Sequence, residues 1–290
     1  MHTEFKITRV LVRLSLLAAV LLAGGCRGSY PWIAPGLPAR GVCAHRGNDG
    51  RMPENTVPAW RSAAAQGAEM VELDVKRCAT GELVIMHDAT VDRTTSGTGL
   101  VSRLTFDQIR ALDAAYRKGR PIPGCSPVRV PTFDEALDAV PREGIWINCH
   151  CAPGTTAEVA RRIRDKGRLH QAFVAATLPE IDLARREVPE ILSCNMSRTW
   201  KSRDAYHRPW PPELSTLYAR QTVEHGCQFL QLLAPCSRED AEMLHAAGVK
   251  IAYFHCEDPA KVPALLDLGV DFILTDNLEA IRAKAKELQK

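Results

Sequence analysis

From residue 42 to the end of the chain, short apolar runs alternate with polar turns and helix-start signals. The runs cover 42–44, 70–75, 83–86, 145–149, 172–176, 191–194, 229–233, 249–254 and 271–274. Short, mostly apolar runs of this length suit strands covered on both faces, as in parallel sheets. Behind them, Thr105 with Gln108, Thr132 with Glu135, Thr155 with Glu158 and Asp276 with Glu279 have the spacing of a capping box. Asp258-Pro259 sets a cap ahead of a proline at the first helical position. Gly67, Gly248 and Gly269 fall where helices should stop.

This alternation carries no Gly-x-Gly-x-x-Gly behind its first strand, which predicts a closed (β/α)8 TIM barrel over a doubly wound sheet. Nine apolar runs are one too many for that barrel. The gap from Asp74 to Leu83 is too short for a crossover helix, which takes roughly a dozen residues. The barrel is therefore expected to be irregular around its second and third strands, with Leu83 to His87 leaving the simple alternation.

The first residues follow another pattern. Lys6, Arg9 and Arg13 precede an apolar run over 14–25 and then Cys26, the layout of a secretory signal. That run is shorter than the about 20 residues of a spanning helix. Ala23-Gly24-Gly25-Cys26 looks like a bacterial lipobox, with Ala23 where leucine is usual. The expected organisation is a lipoprotein-type signal over 1–25, a proline-containing linker over 26–40 and one domain over 41–290. A lipidated Cys26 would tie the exported protein to a membrane of the bacterial cell envelope.

Charge and cysteine content remove other function classes. The 37 basic and 34 acidic residues leave a net charge of +3 without a run of one sign, so nothing points to nucleic acid. None of the ten cysteines forms a Cys-x-x-Cys, which removes zinc-ribbon and thioredoxin readings. Cys149 and Cys151 share one face of a strand and are expected to act as small apolar packing residues.

The candidate chemistry sits near strand ends. Glu72 and Asp74 are two apart on one strand, so both face the same way, and two adjacent buried carboxylates call for a cation. His45 ends the first run beside Arg46, whose fork suits phosphate oxygens, and Gly47 allows close backbone approach. His87 closes the third run and precedes Asp88. Histidine is the side chain that titrates nearest neutral pH, so both are candidates for proton transfer.

The fragments His45-Arg46-Gly47, Pro53-Glu54-Asn55-Thr56, Glu72-Leu73-Asp74, His87-Asp88, Asp92-Arg93-Thr94-Thr95 and Gly269-Val270-Asp271 through Thr275-Asp276 together resemble the glycerophosphodiester phosphodiesterase family. The resemblance runs from about residue 42 to 282 and is densest before 135. It implies a metal-dependent hydrolase that turns glycerophosphodiesters into glycerol phosphate and an alcohol. By residue-to-residue match, His45 and His87 are the general acid and base and Arg46 grips the phosphate. Glu72 and Asp74 bind Ca2+ or Mg2+, with Glu54 and Asn55 in support.

The chain departs from the family at two places. Where the family usually has Glu-x-Lys, this sequence has His150-Cys151-Ala152. A site of two carboxylates and one imidazole, Glu72, Asp74 and His150, should favour Mn2+, Fe2+ or Zn2+ over Ca2+. The second departure is Tyr253-Phe254-His255-Cys256, of which Tyr253 or His255 is expected to line the pocket. The loop from Trp200 to Tyr218 holds Trp200, Tyr206, His207 and Trp210. It is expected to overhang the mouth, and its aromatic and basic content suits a rim for a lipid-derived or glycosyl headgroup. Two other readings stay open on the sequence: a lipid phosphodiesterase of the sphingomyelinase D type, and a noncatalytic lipoprotein that binds phosphodiesters.

Overall fold

The computed structural model describes residues 36–47, 50, 52–196, 212–234 and 236–288. The expected signal, Cys26 and most of the linker lie outside the described residues, as do Trp200, Tyr206, His207 and Trp210.

Eight parallel strands close into a barrel. They are β1 (Gly41–Ala44), β2 (Met70–Arg77), β6 (Trp146–Cys151), β7 (Ala172–Ala176), β8 (Leu192–Asn195), β9 (Phe229–Leu232), β10 (Lys250–Phe254) and β11 (Phe272–Thr275). Each pairs with the next around the ring, and β1 pairs with both β11 and β2 to shut it. The surplus run is β3 (Leu83–Ile85), which lies antiparallel on the outer part of β2, with Val75 opposite Ile85. The expected irregularity is therefore a strand added to the ring's edge, and the eight-strand count holds. A small hairpin of β4 (Tyr116–Arg117) and β5 (Arg120–Pro121) belongs to the same insertion.

Helices cover the outside: α1 (Val57–Ala65), α2 (Phe106–Arg110), α3 (Phe133–Ala139), α4 (Thr156–Asp165), α5 (Leu178–Glu187), α6 (Pro212–Glu224), α7 (Arg238–Ala246), α8 (Val262–Asp267) and α9 (Leu278–Glu287). The capping boxes at Thr105 and Thr132 form with both reciprocal bonds. The other two do not. The Thr155 hydroxyl donates to the Ala152 carbonyl, and α9 starts from Asn277 because Asp276 is drawn to His45 instead. Gly67, Gly248 and Gly269 all take positive φ just past helix ends, as expected.

Side-chain alternation divides the core. Cys43, Met70, Trp146, Phe173, Phe229 and Phe272 fill the barrel interior, where Phe173 and Phe229 stack at 4.1 Å. The opposite faces of the strands, Cys149 and Cys151 among them, pack against the helices. Each large side chain buried in this way contributes about 1.5–3 kcal/mol. The aromatic layer plugs the barrel, so the polar inward positions nearer the strands' carboxyl ends form the floor of an open cleft. That is the end at which barrels of this kind carry their chemistry.

Candidate active site

β1 runs directly into His45, Arg46 and Gly47. Arg46 has φ 50° and Gly47 has φ 78°, and a Cβ on Gly47 would lie 2.6 Å from the Trp60 ring. Only glycine fits that turn, which presents His45 and Arg46 over the barrel end. The Arg46 amide donates to Glu72 at 2.9 Å.

Glu72 and Asp74 face inward from β2 and are buried. β6 lies in register beside it, with Asp74 opposite His150. His150 Nδ1 stands 3.0 Å from Asp74 Oδ1 and 3.7 Å from Glu72 Oε1, and one ligand atom from each of the three lies within 4.8 Å of the others. Burial pulls the imidazole of His150 down, but the hydrogen bonds and charge of Asp74 and Glu72 push it up to about 9. Burial pushes Asp74 up, yet the His150 hydrogen bond and the charges of His87, His150 and Arg46 hold it well below the usual carboxylate range. The cluster thus holds a proton tightly where a divalent cation would answer the same negative charge, and its two carboxylates and imidazole are a donor set fit for one.

Asn55, with φ 57°, does not cap a helix. Its amide donates to Asp74 Oδ2 at 2.8 Å and its oxygen accepts from the Asp74 amide at 3.3 Å. Glu54 sets its side chain, 7% exposed, between two arginines: it accepts from Arg46 at 2.9 Å and, through both oxygens, from Arg93 at 2.6 and 2.7 Å. Arg93 also grips Asp88. Removing the carboxylate by Glu54→Ala leaves Arg93 to Asp88 alone and Arg46 to the longer 3.7 Å contact with Asp74, with no negative charge between the two guanidiniums. Because Arg93 is partly exposed, the expected loss is about 2–3 kcal/mol, at or below the low end for a broken buried pair; urea unfolding measures it.

Both histidines are held through Nδ1. His45 donates to Asp276 Oδ1 at 2.6 Å and His87 to Asp88 Oδ1 at 2.7 Å. A carboxylate on Nδ1 leaves Nε2 as the atom that takes or gives a proton. Burial lowers His45, but the Asp276 hydrogen bond and the Glu72 charge outweigh it and raise the imidazole above its ordinary value. The His87 hydrogen bond, with Arg93 beside it, holds Asp88 well below the usual carboxylate range.

The structure brings together His45, Arg46, Glu54, Asn55, Glu72, Asp74, His87 and His150. Of the two alternatives for the pocket at the end of β10, Tyr253 packs on the helix side of the sheet, because strand alternation turns Phe254 inward. Phe254 and His45 meet in a T-shaped arrangement with ring centroids 4.9 Å apart, and the ring of the exposed His255 lies 6.1 Å from that of His45, centroid to centroid. Two residues of the site have no role that the sequence alone assigns: Asp276 and Arg93 each stand only within a motif, and Asp276 has in addition the spacing of a helix cap. The signal available for Asp276 is its position directly after the last strand.

Residues 45–280 match the model of the Glycerophosphoryl diester phosphodiesterase family. The chain belongs to this family. It is 38% identical over 252 residues to the glycerophosphodiester phosphodiesterase of Bacillus subtilis, covering 80% of this chain and 82% of that protein. It is 39% identical over 113 residues to the glycerophosphodiester phosphodiesterase of Caldanaerobacter subterraneus, covering 39% of this chain and 45% of that one. The chain thus spans about half, or less, of the length of several curated relatives it matches. Its fold is similar to the structure of an Oleispira antarctica phosphodiesterase in complex with the product sn-glycerol-3-phosphate, with a TM-score of 0.66 at 22% identity. That match covers 86% of this chain and 97% of the other.

Proposed function

We propose that the protein hydrolyses glycerophosphodiesters to glycerol phosphate and an alcohol. The observation that carries this reading is the pairing of two carboxylate-held histidines, His45 with Asp276 and His87 with Asp88, around the Glu72, Asp74 and His150 cluster. Family membership and the glycerol phosphate bound by the Oleispira relative support the substrate class.

His87, the more exposed of the two, takes the proton of the attacking hydroxyl, from water or from the substrate's own glycerol, as the new P–O bond forms. His45, whose proton Asp276 holds towards higher pH, gives it to the departing alkoxide as the old P–O bond breaks. Arg46 pairs with charge on the phosphoryl oxygens through the guanidinium that Glu54 steadies. Glu72, Asp74 and His150 would hold a divalent cation, which would supply Lewis-acid stabilisation of that charge.

Metal binding requires a neutral imidazole. Since His150 is pushed up to about 9, it carries its proton at neutral pH, and uptake of Mn2+ should release close to one proton there. Affinity should then rise with pH until His150 is neutral without help, at about pH 9. Calorimetry in buffers of different ionisation enthalpy measures the proton, and His150→Asn should abolish the release.

The leader-like segment and Cys26 support an exported, lipid-anchored protein of the cell envelope. Among the described residues no helix is long and apolar enough to cross a membrane. The activity is tested by assaying glycerol phosphate release from glycerophosphocholine and glycerophosphoethanolamine after chelation and refilling with Ca2+, Mg2+, Mn2+ or Zn2+. Metal-dependent release establishes the hydrolase. Binding without turnover under every ion overturns it in favour of the noncatalytic binding protein.

A further inference from the structure

After Glu72 and Asp74, the next inward-facing position of β2 is Lys76. One step beyond the last register pair, Val75 opposite Cys151, it comes beside Ala152, whose amide donates to the Val75 carbonyl at 3.0 Å. Both residues line a cleft of about 580 Å3 that also takes in Asp74, His87, Asp88 and His150. Lys76 is half-buried there.

The other cations of the site already hold carboxylates, Arg46 through one of its nitrogens. Arg46 donates to Glu54, and Arg93 divides its guanidinium between Glu54 and Asp88. The carboxylates whose charge reaches Lys76, Asp74 and Asp88, are occupied as well: Asp74 by Asn55 and His150, Asp88 by His87 and Arg93. Among the described residues the Lys76 ammonium has no hydrogen-bond or ion-pair partner. An ammonium with three donors, set in a half-enclosed cleft beside a proton-transfer histidine, is suited to an anion.

We propose that Lys76 binds the phosphate group of substrate and product, contacting an oxygen that does not take part in bond breaking. The role rests on the phosphodiesterase reading and deepens it. Removing one positive charge should cost a doubly charged terminal phosphate more than a singly charged diester, so Lys76 governs retention of glycerol phosphate above all. Because Ala152 is its neighbour on the same face, a lysine placed there can supply the missing charge.

The test is calorimetric titration of the full chain with sn-glycerol 3-phosphate, with and without chelator, beside a melting curve for each variant. Lys76→Met is expected to weaken binding about 10-fold or more, the loss of one charge-assisted contact. Lys76→Met with Ala152→Lys should recover most of it, a result that loss of packing would not give. Should Lys76→Met fail to fold, Lys76→Gln decides by the same criterion. Wild-type affinity in a folded Lys76→Met or Lys76→Gln variant overturns the assignment. Failure of the wild type itself to bind glycerol phosphate would instead overturn the phosphodiesterase reading, and the lysine's role with it.

Discussion

His45→Ala should lower kcat/KM for glycerophosphocholine about 1,000-fold, within the range for loss of a general acid, yet lower turnover of a p-nitrophenyl phosphodiester less than about 10-fold. The contrast follows from the leaving groups. Choline departs as an alkoxide that must be protonated, whereas p-nitrophenolate leaves without a proton. Equal losses on both substrates would sink the assignment of His45 as the acid and move that role to His87.

A pH profile gives the companion test. Asp276 raises His45 against a burial that lowers it. A general acid works in its protonated form, so activity is present below the pKa of His45 and lost as pH rises through it. Asp276→Asn removes what raises the group and keeps the burial, and the alkaline limb of the profile should therefore move to lower pH. An unmoved limb would mean that the limb reports another group.

How much of this is legible in the chain depends on whether a signal is local. The barrel is, because buried parallel strands are continuous apolar runs and their order alone fixes the ring. So is the anomaly at Leu83, since so short a gap after Asp74 cannot hold a crossover. Glu72 and Asp74 are legible from their period of two on one strand. What the sequence hides is pairing across distance. Asp276 lies 231 positions from His45 and has the spacing of a helix cap, a local role that the tertiary partner displaces. Glu54 lies 39 positions from Arg93, and the two form a bidentate pair that links the loops of both histidines. The choice between Tyr253 and His255 is open in the sequence because strand register, which decides the face, cannot be read from so short a segment; the fold turns Tyr253 to the helix side and sets His255 beside His45.

The second large effect concerns the metal. Asp74→Ala should lower kcat/KM at least about 100-fold, the upper end of what even a supporting partner of a metal site is worth, and calorimetry should show that metal binding is lost. Asp74 is more than one ligand: it also holds Asn55 and pairs with His150. His150 should then decide which metal is preferred. An imidazole beside two carboxylates is a softer, less negative set than three carboxylates, so wild-type protein should work best with Mn2+ or Zn2+ and poorly with Ca2+. His150→Glu should reverse that order, because the third carboxylate restores an all-oxygen set suited to a harder ion. The same change puts three carboxylates side by side, and without metal their repulsion should lower Tm relative to wild type. Adding Ca2+ should restore Tm more in the variant than in the wild type. An unchanged metal order in a folded His150→Glu protein would show that His150 is a buried hydrogen-bond partner of Asp74 and not a ligand.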